Sequence, residues 1–115
     1  MLKLKSKPTL KEVQKYVEKM EIERGFIKEH VIQKCLLLGE EVGELFKAVR
    51  KQIGIKVDKK SVEYSVKNEL ADVLIYLCEI ANRHNIDLEK ALRDKEEINK
   101  KRVWEKTTDK KITIY

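Results

Sequence analysis

The chain has 115 residues, 40% charged and 42% apolar, with 26 Lys and Arg against 20 Asp and Glu for a net charge of +6. That length gives one domain, 1–115, with room for a single modest core and no need of disulfides. Only four glycines and one proline argue against a sandwich or barrel and against low complexity, while abundant Lys, Glu, Leu and Ile point to long helices.

Nothing in the sequence reads as a membrane span of ~20 apolar residues, and the basic start MLKLKSKPTL lacks the apolar stretch of a signal peptide. Cys35 and Cys78 lie inside apolar runs and are expected as buried free thiols. A soluble protein of the reducing cytoplasm is the expectation.

Residues 1–8 are Lys-rich and are expected to fray. Thr9-Leu10-Lys11-Glu12 has the form of a capping box, and Leu10, Val13, Tyr16, Val17 and Met20 then share one helical face. With Gly25 as the stop, the first helix is predicted over 9–23. Val31, Cys35, Leu38, Val42, Leu45 and Val49 form a seam at helical period, which places the second helix near 28–52. Residues 55–60 read as a short connection. Ser61 is the expected cap of the third helix, with Val62, Val66, Val73, Leu77 and Ile80 on its core side and Asn85 closing it. Asp87 then caps a fourth helix whose face carries Leu88, Ala91, Leu92 and Ile98. After Trp104 the chain turns polar and ends in ITIY, a short strand or a tail. The predicted fold is therefore all-α: an antiparallel bundle of about four helices, with a core over 9–104 and peripheral ends at 1–8 and 105–115. Its apolar stripes are too wide for a four-helix monomer, so completion by homo-oligomerisation is expected.

The chemistry-bearing residues are two pairs of acids: Glu41 and Glu44 on the second helix, Glu69 and Asp72 on the third. A three-residue spacing puts both members of a pair on one face, where like charges repel unless something compensates. Glu44 lies eight residues before the expected end of its helix, and Glu69 eight after the expected start of the next. At 1.5 Å per residue both pairs sit roughly 12–16 Å from the turn, so on antiparallel helices they face each other. Four such carboxylates cannot all stay ionised without cations. Oxygen-only ligands suit Mg2+, with Mn2+ as a substitute. A di-iron site would call for Glu-x-x-His pairs, and neither His30 nor His84 has a Glu three residues before it. Gly43, between the two glutamates, costs helix stability and suggests close approach of another helix or a ligand. Glu40 is expected to face solvent, and Lys34, Arg50 and Lys51 are expected as surface charges.

The segments GEEVGELFKAVR and NELADVLIYLCEIANRHNIDLEKALRDKEEINKKR resemble the MazG-like, all-alpha nucleoside triphosphate pyrophosphatases over roughly residues 28–104. The family pattern is E-x-x-E, then E-x-x-D on the next helix, then K-x-x-x-N-x-x-R. It matches here at Glu41, Glu44, Glu69, Asp72, Lys95, Asn99 and Arg102. The resemblance implies an enzyme cleaving an NTP or dNTP to the monophosphate and pyrophosphate by water attack at the α-phosphorus. It implies that the four acids hold Mg2+, one glutamate orienting or deprotonating the water, and that Lys95, Asn99 and Arg102 contact phosphate or sugar. It also implies a dimer or tetramer. Phosphoryl chemistry of this kind needs charge neutralisation more than covalent catalysis, and the chain has no G-x-x-x-x-G-K-[ST] loop to supply it. Phe26, Phe46, Tyr76 and Trp104 are candidates for a base pocket.

Two other readings remain at this level. One is a family member that binds nucleotides without efficient hydrolysis. The other is a non-catalytic helical module binding nucleic acid through basic ends: residues 1–19 carry six lysines against two glutamates, and residues 90–111 nine basic against five acidic residues. Few aromatics interleave with those charges, so a stacking platform is not expected, and the polyanion that fits best is a single triphosphate.

Overall fold

In the computed structural model the described residues are 2–54 and 65–102. They form four helices and no strand: α1 (Leu10–Arg24), α2 (Val31–Gln52), α3 (Val66–Arg83) and α4 (Leu88–Lys100). Ser61, Val62, Trp104 and the terminal ITIY lie outside the described residues.

Local chemistry sets most of the ends. Thr9 and Glu12 close the expected capping box: Glu12 N–H donates to Thr9 Oγ1 at 3.1 Å, and Thr9 N–H to Glu12 Oε1 at 2.9 Å. Gly25 stops α1 in the left-handed region at φ 80°, where a side chain would be strained. α2 begins at Val31, later than expected. His30 caps it, its Nδ1 accepting from Ile32 N–H at 3.1 Å while Gln33 Oε1 accepts from His30 N–H at 2.9 Å. α3 also starts late, at Val66, with the Ser65 hydroxyl accepting from Asn68 N–H at 3.3 Å. Asn85 follows α3 at φ 53°, and the Asp87 carboxylate caps α4 by accepting from the Glu89 and Lys90 N–H groups.

The core lies between α1 and α3, where Val17, Met20 and Cys78 are buried and Leu2, Val13, Tyr16, Ile75 and Leu88 pack around them. Leu2 thus reaches the core from the first residues, and Lys5 pairs with Glu12 at 3.2 Å. A polar clasp joins α1 to the α3–α4 turn. Gln14 Nε2 donates to Asn82 Oδ1 at 3.1 Å and to Ile86 O at 2.8 Å, and Leu88 N–H donates to Gln14 Oε1 at 2.8 Å.

α2 packs mainly on α3, and α4 rests on α1. The inward faces of α2 and α3 only partly follow the predicted apolar seams: Val31, Leu38, Val42 and Leu45 of α2 and Val66, Val73 and Ile80 of α3 are half-buried. On α2 the buried residues are Lys34 and Ala48, whereas Cys35 is exposed, against the expectation of a buried thiol. On α3 they are Cys78, Glu79 and Ala81, while Leu70, Leu74 and Leu77 are exposed. α4 buries no residue completely, and its Leu92 and Ile98 are exposed. No helix among the described residues is long and apolar enough to cross a membrane.

Candidate functional site

Lys34, Glu41 and Ala48 are spaced by seven, so they share one face of α2; the buried Lys34 and Ala48 mark it as the inward face. Glu69 stands in the first turn of α3, with Asp72 one turn on. One carboxylate oxygen each from Glu41, Glu69 and Asp72 lie within 4.8 Å of one another, and all three residues are half-buried. The expected heights above the turn do not hold, because α3 begins at Val66 and Glu69 is only three residues past its start. The acids meet because side-chain packing of α2 on α3 sets the register.

Glu44 stands outside the three-oxygen group but close to it. Its charge helps raise the Glu41 pKa, and its Oε2 is buried with no hydrogen-bond partner among the described residues. Burial, a hydrogen bond with Glu69 and the charges of Asp72, Glu69 and Glu44, in that order, push Glu41 up to about 7. Acids this close, with burial and mutual repulsion pushing Glu41 up to about 7 and one buried oxygen of Glu44 without a hydrogen-bond partner among the described residues, fit a hard divalent cation. Glu40 is exposed, as expected, and a Cβ added to Gly43 would meet nothing within 4 Å in its own chain.

Lys95 and Arg102 are exposed and Asn99 half-buried along α4 and its C-terminal end. Among the described residues no hydrogen bond or ion pair ties their side chains to the acids.

A second charged group went unrecognised in the sequence. Lys34, expected at the surface, is 2% exposed. Its Nζ lies 3.1 Å from Glu29, 3.5 Å from Glu21 and 3.7 Å from Glu79, and 5.2 Å from the centroid of the Phe26 ring. Burial alone would lower its pKa; the Glu29 hydrogen bond and the charges of Glu79 and Glu21 outweigh it and hold the ammonium above its ordinary value. Arg83 grips Glu21 with two bonds, at 2.7 and 2.6 Å, and donates to the carbonyls of Phe26, Glu29 and Glu79. Burial, then the charge of Glu21, raises the Glu79 pKa. Arg50 and Lys51, also expected at the surface, are half-buried. The available signal was spacing: Lys34 stands seven residues before Glu41, and Glu79 seven after Asp72.

Above this group opens a cavity of about 350 Å3 lined by Phe26, Leu37, Ile75 and Tyr76, with Lys34, Glu29 and Glu79. Asp72 also lines it, so it adjoins the acids. Of the aromatic candidates, Phe26 and Tyr76 reach this cavity; Phe46 is 67% exposed on α2.

The domain profile of the MazG nucleotide pyrophosphohydrolase matches residues 28–113. Two crystal structures of iMazG from Vibrio DAT 722 are similar to this chain. The N-tagged form superposes with a TM-score of 0.63 at 34% identity, covering 81% of this chain and 95% of that one. The C-tagged form gives 0.61 at 33%, covering 81% and 99%. No curated protein matches the sequence.

Proposed function

The chain belongs to the MazG nucleotide pyrophosphohydrolase family, and from that premise we propose that it hydrolyses a nucleoside or deoxynucleoside triphosphate to the monophosphate and pyrophosphate, water adding at the α-phosphorus and pyrophosphate leaving. The observation that carries this reading is the convergence of Glu41, Glu69 and Asp72 within 4.8 Å. Glu41, Glu44, Glu69 and Asp72 would hold Mg2+, or Mn2+ in its place. Such an ion supplies charge neutralisation for the triphosphate oxygens. A glutamate of the set orients the attacking water and takes its proton on a carboxylate oxygen. Lys95, Asn99 and Arg102 contact phosphate or sugar: Lys and Arg supply fixed charge, and Asn offers both donor and acceptor.

The test is pyrophosphate release from each NTP and dNTP with Mg2+; no release from any of them overturns the reading. Glu41→Gln and Asp72→Asn are each expected to lower turnover at least ~100-fold while leaving the helical circular dichroism intact. Unchanged turnover in both would refute the ligand assignment.

We also propose that the helices form an antiparallel bundle completed by a second copy, as a dimer or tetramer. Ile32, Leu36 and Phe46 stand exposed on α2, in register at steps of four and three with Gly39 and Gly43, and Leu70, Leu74 and Leu77 stand exposed on α3. Glycines on such a face let a second helix approach closely, and an apolar face of this kind marks an interface.

A further inference from the structure

A second cavity, between residues 2–5 and α1, shares no residue with the acid cluster or with the cavity beside it. We propose that it binds a compact anion carrying two or more adjacent phosphoryl groups, inorganic pyrophosphate or the diphosphate of a nucleotide, between Lys3, Lys15 and Lys19. This site is separate from the proposed hydrolysis and does not rest on it.

The cavity exists because the first residues fold back on α1. Lys7 lies in the left-handed region at φ 50°, uncommon for a residue with a Cβ. Ahead of it the chain runs antiparallel to α1: Lys5 pairs with Glu12, and Leu2 packs on Met20 about two turns further along. Leu2 and Tyr16 are anchored against the core, so this wall stands before any ligand arrives. The cavity has a volume of about 200 Å3, which is small for a drug-sized ligand and suits an anion of few atoms.

Its sign is strongly positive. Lys3, Lys5, Lys15 and Lys19 line it against the single carboxylate of Glu12. That carboxylate is already engaged: Oε1 accepts from Thr9 N–H at 2.9 Å, and Oε2 lies 3.2 Å from Lys5 Nζ. Lys3, Lys15 and Lys19 have no ion pair among the described residues. Lys15 and Lys19 are four residues apart on one helix face, where like charges repel. An anion between them removes that repulsion, and ammonium groups, with three donors each and no acceptor, match phosphoryl oxygens.

Length favours a compact anion over nucleic acid. The basic stretch of α1 is bounded by Glu12 at one end and by Glu23 at the other, where Glu23 lines a smaller cavity with Leu2 and Tyr16. Lys15 and Lys19 stand ~6 Å apart along the helix axis. That distance serves neighbouring phosphoryl groups, whereas a strand gains its affinity from many phosphate contacts. Tyr16 is half-buried against the core, so it offers no free face on which a base could stack.

The test is titration calorimetry at low salt with a chelator present. Without metal the four acids repel phosphate, so binding reports on cationic sites. Inorganic pyrophosphate is expected to bind one to one with a Kd below about 1 mM, at least about fivefold more tightly than inorganic phosphate. Lys15→Gln combined with Lys19→Gln is expected to weaken pyrophosphate binding at least about tenfold. Lys11→Gln combined with Lys28→Gln removes the same charge from lysines outside the cavity and is expected to weaken it less than about twofold. All four lysines are exposed, so both variants are expected to keep the helical circular dichroism. ADP distinguishes the two sources of the ligand. Affinity equal to that of pyrophosphate means that the diphosphate alone is read. Tighter binding that is lost with Lys15 and Lys19 means that a nucleotide is read. Either result upholds the site. No saturable binding of pyrophosphate or ADP overturns the proposal. Equal weakening in the two double variants also overturns it, because bulk charge would then explain the binding. A single-stranded oligonucleotide that binds more tightly than either ligand, through Lys15 and Lys19, would overturn it in favour of nucleic acid. Turnover enters none of these measurements, so failure of the proposed hydrolysis leaves the site standing.

Discussion

At the scale of single residues the acid cluster links metal binding, protonation and stability. Glu41 rises from 4.5 to about 7 in the folded chain, so between these values the folded state holds a proton that the unfolded state has lost. Stability from this source is fully present below about 4.5 and is lost as pH rises through about 7. Glu79 is shifted in the same direction. The metal-free protein is therefore expected to melt at a lower temperature at pH 8 than at pH 5.5. Divalent metal binds the ionised acids and displaces the proton, so excess Mg2+ is expected to raise the pH 8 melting temperature and to do little at pH 5.5. Thermal melts at both pH values, with Mg2+ and with a chelator, check this. A melting temperature at pH 8 equal to or above that at pH 5.5 without metal would contradict it.

At the scale of elements, a few long-range polar contacts tie α1, α3 and the loop leading to α2 together beside the small apolar core. Arg83 on α3 binds Glu21 on α1 and the carbonyls of Phe26 and Glu29 in the loop leading to α2. Removing one partner of a buried ion pair costs about 3–5 kcal/mol. Arg83→Met is expected at about 3 kcal/mol, the lower end, because Lys34 still faces Glu21 at 3.5 Å. Thr9→Ala, which removes only the cap of α1, is expected to cost about 1 kcal/mol. Urea unfolding of the two variants tests the ranking; a Thr9→Ala loss equal to that of Arg83→Met would show the network to be worth no more than a cap. The caps that follow simple rules, Thr9 and Asp87, were legible in the sequence. His30 was not, because histidine is an uncommon N-cap and Lys28-Glu29 continue a helical composition. Ser65 was displaced by Ser61, an equally good capping residue four positions earlier.

At the scale of the whole molecule, the buried set among the described residues is nearly half polar: Gln14, Glu21, Lys34 and Glu79 are as enclosed as Val17, Met20, Ala48, Cys78 and Ala81. Large apolar side chains on α2, α3 and α4 remain outside it. Light scattering is expected to give the mass of a dimer or tetramer, and Phe46→Glu, which puts a charge on the exposed face of α2, is expected to shift the mass toward monomer. A monomeric wild type at working concentration would refute the assembly. The net charge of +6 gains its meaning at this scale too: acids and paired cations occupy the interior of α1 to α3, while Lys95 and Arg102, with no ion pair among the described residues, lie exposed along α4 and its end.

The sequence by itself determined the helical class, several helix ends, the two acid pairs and the family, because each rests on local spacing: 3.6-residue periodicity, a capping box, or carboxylates three residues apart. Only the tertiary structure decided which face of α2 turns inward, that Lys34 is buried, and that Glu79 and Asp72 line one cavity. A periodic seam fixes a helix's inward face only to about one residue, and each residue turns the face by ~100°. On α2 that single step replaced Cys35 with Lys34. A lysine can be buried there because Glu21, Glu29 and Glu79 surround it. Two of those partners come from α1 and α3, so they reach Lys34 only once the helices pack.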